Sequence, residues 1–86
     1  MTTSRKKRMC LLTYARQGLD LRQVNIRLTK ACLDPINELD WSLWVNHYLP
    51  IVDNNLYFER ALIDQNRSLA WFAREMYARK KKTNLS

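Results

Sequence analysis

The sequence predicts an all-α protein, a compact bundle of about four helices that forms a single small domain. Eighty-six residues match the size at which one hydrophobic core fills. One Gly and two Pro leave few turn residues, which argues against a sandwich or barrel of many short strands. Apolar residues make up 47% of the chain, the usual share for a folded protein. We therefore expect residues 1–86 to form one helical domain.

The first helix is expected to run from Ser4 to Gln17 and to end at Gly18, the only glycine, where a left-handed C-cap is needed. Its first turn carries four consecutive cations, residues 5–8, at the positive end of the helix dipole. Because that placement is unfavourable, we expect residues 1–8 to fray unless a polyanion is bound.

The second helix is the clearest of the four. Asp20 is a good N-cap residue, and Leu21, Val24 and Leu28 follow at helical spacing. The apolar row continues to Ala31 or Cys32, so we expect the buried face of this helix to lie along these positions.

The third helix is expected from Pro35 to about Tyr48, with Asp34 as its cap and Pro at the first helical position. It would end at Leu49-Pro50, because a residue before proline disfavours the helical conformation. Ile36, Leu39, Leu43 and His47 form one stripe on this helix, and Trp41, Trp44 and Val45 lie partly off it. The helix is therefore apolar over more than one face, as in a central or partner-binding helix.

A turn at residues 53–55 precedes the last helix, which is expected from Asn54 to Lys82. Residues 83–86 are expected to be a loose tail. The predicted inward positions of this helix are Phe58, Leu62, Leu69, Phe72 and Met76.

The net charge of +7 hides an uneven distribution. Residues 1–35 hold eight basic and two acidic side chains, residues 36–64 hold one and five, and residues 65–86 hold six and one. Basic ends of this kind are typical of phosphate contact, although short charge runs are also common on solvated faces. The expected nucleic-acid contacts are Arg5, Lys6, Lys7, Arg8, Arg22, Asn25, Arg27, Lys30, Arg79, Lys80, Lys81 and Lys82.

The acidic middle of the chain is rich in tryptophan. Nine aromatic residues (three Trp, four Tyr and two Phe) are more than a core of this size readily hides. Core filling accounts for some of them, and exposed tryptophans are typical of binding hot spots. The expected contacts to a protein partner or to a second copy of the chain are Trp41, Trp44, Tyr48 and Trp71.

The segment Gly18-Leu-Asp-Leu-Arg-Gln-Val-Asn-Ile-Arg-Leu28 resembles the scaffold helix of helix-turn-helix DNA-binding domains. That family would place a glycine at Thr29 and a basic recognition helix next. This chain departs from both features, because the following helix carries Glu38 and Asp40, which phosphates would repel. If bases are read, Arg22, Asn25 and Arg27 are the better candidates.

Three short elements are also similar to the theta accessory subunit of bacterial DNA polymerase III. They are Val24-Asn25, Tyr48-Leu-Pro-Ile and Leu69-Ala-Trp-Phe-Ala-Arg-Glu. Their alignment needs several gaps, and no expectation about the fold or the function depends on it.

Several function classes are excluded or disfavoured by composition. One His, a lone Gly and scattered carboxylates supply neither a relay of two histidines nor a phosphate-binding loop, so we expect no enzyme, cofactor or small-molecule substrate. Cys10 and Cys32, 22 residues apart without further ligands, favour small buried side chains over a metal site. No apolar run reaches the length of a membrane span or a signal peptide, so we expect a cytoplasmic protein without membrane contact.

Two functions remain open. The first is a small non-enzymatic, regulatory module whose basic ends hold DNA or RNA and whose Trp-rich middle holds a protein. The second is an accessory or inhibitory subunit that docks on a larger nucleic-acid enzyme, such as a nuclease or polymerase. Affinity for duplex DNA that falls steeply with salt would favour the first.

Overall fold

Five helices form the chain in the computed structural model, which describes residues 4–53 and 55–84, with side chains up to residue 79. We number them α1 (Arg5–Gln17), α2 (Leu21–Lys30), α3 (38–52), α4 (Leu56–Ile63) and α5 (Leu69–Asn84). No strand occurs in these ranges, which confirms the all-α prediction with one helix more than expected.

The predicted start and end of α1 are confirmed. The Ser4 hydroxyl accepts a hydrogen bond from the Lys7 amide at 3.2 Å, so the first turn is capped. Gly18 ends the helix with φ +73°, and the amides of Gly18 and Leu19 donate to the carbonyls of Ala15 and Tyr14. Residues 5–17 are helical, Ser4 is the extended N-cap residue, and residues 1–3 lie outside the described residues.

Helix α2 also begins as predicted, since an Asp20 carboxylate oxygen accepts from the Gln23 amide at 2.9 Å. Its end repeats the geometry at Gly18 with a different residue. Cys32 has φ 60°, its amide donates to the Thr29 carbonyl, and the Leu33 amide donates to the Leu28 carbonyl. This Schellman motif places a cysteine where glycine is favoured.

Both predicted boundaries of α3 are wrong. The N-cap is Asn37, whose side chain accepts from the Asp40 amide at 2.7 Å, and the helix continues through Pro50 to Val52. A π-helical turn, Trp44–Tyr48, precedes the proline, and the Leu49 amide donates to the Trp44 carbonyl. This wider turn accommodates a proline that cannot donate a hydrogen bond of its own.

The inward face of α3 also differs from the prediction. Leu39 is 73% exposed and His47 is exposed, whereas Trp41 and Trp44 are buried at 6% and 7% exposure. The helix starts three residues later than expected, and the two indoles, which bury more apolar area than a leucine, occupy the core side. Ile36 is buried as predicted, but it lies in the loop before the helix.

The single last helix predicted from the sequence is two helices joined by a turn at residues 64–68. Asn66 adopts a left-handed conformation with φ 51°, and the Arg67 amide donates to the Ala61 carbonyl across the turn. Ser68 then accepts from the Trp71 amide and caps α5. The reversal brings the rings of Phe58 and Phe72 to 5.7 Å, a contact that one straight helix could not make.

The core draws on all five helices. Of the residues predicted to point inward along the last two helices, Phe58, Leu62 and Phe72 are buried, Leu69 is half-buried and Met76 is 43% exposed. The most completely buried side chains are Leu11 of α1, Val24 and Leu28 of α2, Val52 of α3, Leu62 of α4 and Phe72 of α5.

Candidate nucleic-acid interface

Helices α1 and α2 pair in antiparallel fashion across the turn at residues 18–20. The Arg27 guanidinium lies 6.0 Å from the centroid of the Tyr14 ring. The Lys7 ammonium donates to the Pro35 carbonyl at 3.3 Å. These contacts place the C-terminal half of α2 and the loop that follows it beside α1.

The exposed face of α2 is basic along its whole length. Arg22, Arg27 and Lys30 are exposed, and residues 21–33 contain no carboxylate. Among the described residues none of these three side chains forms an ion pair. We call these three side chains, together with the exposed Lys6 of the adjacent α1, the α1–α2 basic surface.

Three of the four predicted contacts of the N-terminal run are engaged within the protein, since Lys7 donates to the Pro35 carbonyl. Arg5 Nε lies 2.7 Å from an Asp64 carboxylate oxygen in an ion pair at the surface. Arg8 is only 7% exposed, and its guanidinium donates to the Ile63 carbonyl. Arg8 therefore belongs to the core, whereas Lys6 is exposed beside it.

Asn25 is also occupied. Its amide nitrogen donates to the Ile36 carbonyl at 3.1 Å, and its amide oxygen accepts from the Ile36 amide at 2.8 Å. Both polar atoms that would read an adenine are thus used to hold the loop before α3 against α2. Asn25 is therefore less suited to contact a base than the exposed cations of α2.

The aromatic residues predicted to bind a protein separate into two groups. Trp41 and Trp44 are buried, and the half-buried Tyr48 stands 5.0 Å from Trp44 and 6.2 Å from Phe72, ring centroid to ring centroid. These three line the core side of α3. Trp71 is half-buried on α5 and belongs to a different, more accessible cluster with Tyr57 of α4.

The C-terminal basic cluster lies on α5. Arg79 is exposed, with its guanidinium 4.8 Å from the Tyr57 ring centroid and 5.2 Å from that of Phe58. Helical spacing does not reveal this contact, because it depends on the break between α4 and α5. Lys80, Lys81 and Lys82 continue the helix, and their side chains lie outside the part of the chain that the structure describes.

A cleft of about 560 Å³ lies between the start of α1, the loop 33–37 and α3. Its lining includes the charged residues Lys7, Arg8, Asp34 and Asp40 as well as Trp44 and Tyr48. The opposing charges of this lining do not select one class of ligand.

A second depression, of about 290 Å³, lies between α1 and α4. Met9, Leu12, Leu56 and Ile63 give it an apolar centre, in which Met9 is 45% and Leu56 61% exposed. We call these four residues the α1–α4 groove. The Arg5–Asp64 and Arg16–Glu59 ion pairs lie among its lining residues.

Two tyrosines have shifted ionisation. Partial burial, together with the neighbouring Cys10, raises the pKa of Tyr14, and the Arg27 guanidinium acts in the opposite direction. Burial and the Asp40 carboxylate raise the pKa of Tyr48. Both phenols therefore stay neutral at physiological pH, and neither is poised as a general base.

Within residues 4–53 and 55–84, no group of three His, Cys, Asp or Glu side chains is arranged to hold a metal ion. Cys10 is half-buried and Cys32 is exposed, so the prediction that both are buried is wrong, and both are free thiols. Among the same residues, none of the helices combines the length and apolarity that a membrane span requires.

Comparison with models of protein families, with curated proteins and with solved structures gives no match to this chain.

Proposed function

We propose that the protein is a small non-enzymatic module that binds nucleic acid through the α1–α2 basic surface. The observation that carries the proposal is the exposed face of α2, where Arg22, Arg27 and Lys30 stand without a carboxylate between them. Cations held on a rigid helix can neutralise phosphates and release the counterions condensed on them.

The spacing of these cations suits a polyanion rather than an isolated acidic side chain. Lys30 follows Arg22 by eight residue positions, which is about 12 Å along a helix. That distance corresponds to roughly three to four nucleotide steps on one strand of a duplex. The exposed Ile26 between them, 48% accessible, offers an apolar contact of the kind a thymine methyl accepts.

The proposal is tested by measuring affinity for a duplex of about 20 base pairs between 50 and 200 mM salt. We expect a steep fall in affinity with salt for the unaltered protein. The triple variant Arg22→Gln, Arg27→Gln and Lys30→Gln should bind far more weakly. The slope of log affinity against log salt should also be smaller, by about 0.9 for each phosphate that the variant no longer neutralises.

A matched control removes the same kind of charge elsewhere. Arg60 of α4 is exposed, as is Arg74 of α5, so the double variant Arg60→Gln and Arg74→Gln changes net charge without touching the α1–α2 basic surface. An affinity that does not change with salt would overturn the proposal. An equal loss of affinity per charge removed in the α2 variant and in this control would also overturn it.

The α1–α4 groove favours a second function, an accessory or inhibitory subunit that docks on a larger nucleic-acid enzyme such as a nuclease or polymerase. Exposed Met9 and Leu56 are large apolar side chains in a concave site, which suits one face of a partner helix. The buried Trp41 and Trp44, the expected interface, are less suitable for contacting a partner.

This second function is tested by co-purification from the native cell, scored only for nuclease or polymerase polypeptides. Leu56→Ser should abolish their recovery. Leu39→Ser is the matched control, because Leu39 is 73% exposed on α3, away from the groove. Equal recovery with both variants would reject the groove as the docking site.

A further inference from the structure

Helices α4 and α5 together present an aromatic row at the surface. Tyr57 is 50% exposed and Trp71 is half-buried, with ring centroids 6.3 Å apart and an interplanar angle of 34°. The neighbouring contacts of Trp71 with Phe58 and Phe72 are edge-on, at 86° and 85°. Tyr57 and Trp71 are thus more nearly parallel to each other than Trp71 is to the core rings.

A guanidinium group lies over each of these two rings. Arg67 lies 5.1 Å from the centroid of Trp71, and Arg79 lies 4.8 Å from that of Tyr57. Arg67, Trp71, Glu75 and Arg79 follow one another at intervals of four residues, so they form one row along α5 and the residue before its cap.

One hydrogen bond holds Tyr57 of α4 against this row of α5 residues. The Tyr57 hydroxyl and a Glu75 carboxylate oxygen are 3.2 Å apart, so the phenol donates across from α4 to α5. The core is already filled from these helices by Phe58 and Phe72, which are 4% and 0% exposed. Tyr57 is therefore held at the surface in a defined orientation rather than buried for packing.

We infer that these residues bind unpaired nucleotides: bases stack on Tyr57 and Trp71 and displace the Arg67 and Arg79 guanidinium groups from the ring faces, and the displaced groups bind the phosphates. The inference rests on the proposed function and adds a second surface and a strand preference to it. Aromatic rings stack on any base face, and guanidinium groups stack on bases and bind phosphates. A duplex hides its base faces, so the partner is single-stranded DNA or RNA.

The experiment uses the fluorescence of the unaltered protein. Trp41 and Trp44 are 6% and 7% exposed, whereas Trp71 is half-buried, so quenching by a bound base reports on Trp71. Titration with oligothymidylate or oligouridylate of about 10 nucleotides, a length within the usual range of single-strand sites, is expected to quench the emission. A blunt duplex at saturating concentration should leave it nearly unchanged.

Substitutions then localise the site. Tyr57→Ala should weaken single-strand binding about 5- to 150-fold, the loss expected for one stacked base. Arg67→Gln should weaken it more than Arg74→Gln, which removes the same charge from an exposed position outside the row. Circular dichroism of each variant checks that the helices are retained.

The outcomes separate this inference from the proposed function. Duplex binding that depends on α2, without quenching by single strands, overturns the inference and leaves the proposed function intact. Quenching that survives the triple α2 variant supports the inference and rejects α2 as the sole site. Equal effects of Arg67→Gln and Arg74→Gln, with no effect of Tyr57→Ala, overturn the stacking site.

Discussion

The Arg8 guanidinium caps the end of α4 through the carbonyl oxygen of Ile63. Nε and Nη2 both donate to this oxygen, at 2.9 and 2.7 Å, across 55 residues of sequence. Ile63 is the last residue of α4, where carbonyls lack helical partners and the helix dipole is negative. A cation of the basic N-terminal run thereby ties α1 to α4 inside the protein.

We predict that Arg8→Gln destabilises the protein by about 2 to 3 kcal/mol, since a buried carbonyl loses its charged donor. Urea denaturation followed by circular dichroism measures the change. The neighbouring exposed cation supplies the control, because Lys6→Gln should alter the free energy of unfolding by less than about 0.5 kcal/mol. Similar losses in the free energy of unfolding for both variants would show that the cations of residues 5–8 affect stability through their charge alone.

We predict that Asn25→Ala lowers the free energy of unfolding by about 1 to 3 kcal/mol, because it leaves the amide and carbonyl of Ile36 without their partner. Duplex affinity of the folded fraction should be unchanged, since both polar atoms of Asn25 face Ile36. Urea denaturation checks the predicted loss of stability, and salt-dependent duplex binding of the same sample checks the predicted unchanged affinity. Weaker duplex binding with an unchanged free energy of unfolding would show that Asn25 contacts the nucleic acid.

Local signals in the sequence explain which parts of the fold could be predicted. The caps at Asp20 and Gly18 act through neighbouring backbone groups, so the sequence predicts the start of α2 and the end of α1 to within a residue or two. The break after Ile63 escapes prediction because it depends on a left-handed Asn66 and on the contact of Phe58 with Phe72. Neither is visible in helical spacing.

The same division applies to the candidate interface. The helical spacing of Val24 and Leu28 identifies the buried face of α2, and it therefore places Arg22 and Arg27 on the exposed side. The burial of Arg8 depends on a carbonyl 55 residues away. Such a pairing is a property of the tertiary structure, and composition reports only the charge.

The C-cap of α1 predicts a graded effect for two substitutions. Gly18→Ala should destabilise the protein by about 1 kcal/mol, because a Cβ is strained at φ +73°. No atom lies within 4 Å of that Cβ, so the cost is one of backbone conformation and not of crowding. Gly18→Asn should cost less, since asparagine tolerates this region. Thermal denaturation of the pair checks the order, and equal melting temperatures would contradict it.

Cys32→Gly should stabilise the protein by up to about 1 kcal/mol, since Cys32 holds the left-handed position of the second Schellman motif. The cysteine is exposed, so little packing is lost. Cys32→Ala is the control, because it removes the thiol and keeps the strain. Urea denaturation under reducing conditions should separate the two variants, and equal stability would show that strain at φ 60° is negligible.

The raised pKa of Tyr48 predicts that the free energy of unfolding falls at alkaline pH. Burial and Asp40 raise its pKa in the folded protein above the ordinary value of 10.0, so folding favours the protonated phenol. Its contribution to stability is fully present below pH 10.0 and is lost as the pH rises through the higher folded value.

We expect the difference in free energy of unfolding between the unaltered protein and Tyr48→Phe to be constant between about pH 7 and 9. Above pH 10 the difference should turn against the unaltered protein. Tyr14, whose pKa is also raised, is present in both and cancels. A difference that stays flat to about pH 11 would show that the Tyr48 phenol ionises as readily in the folded chain as in the unfolded one.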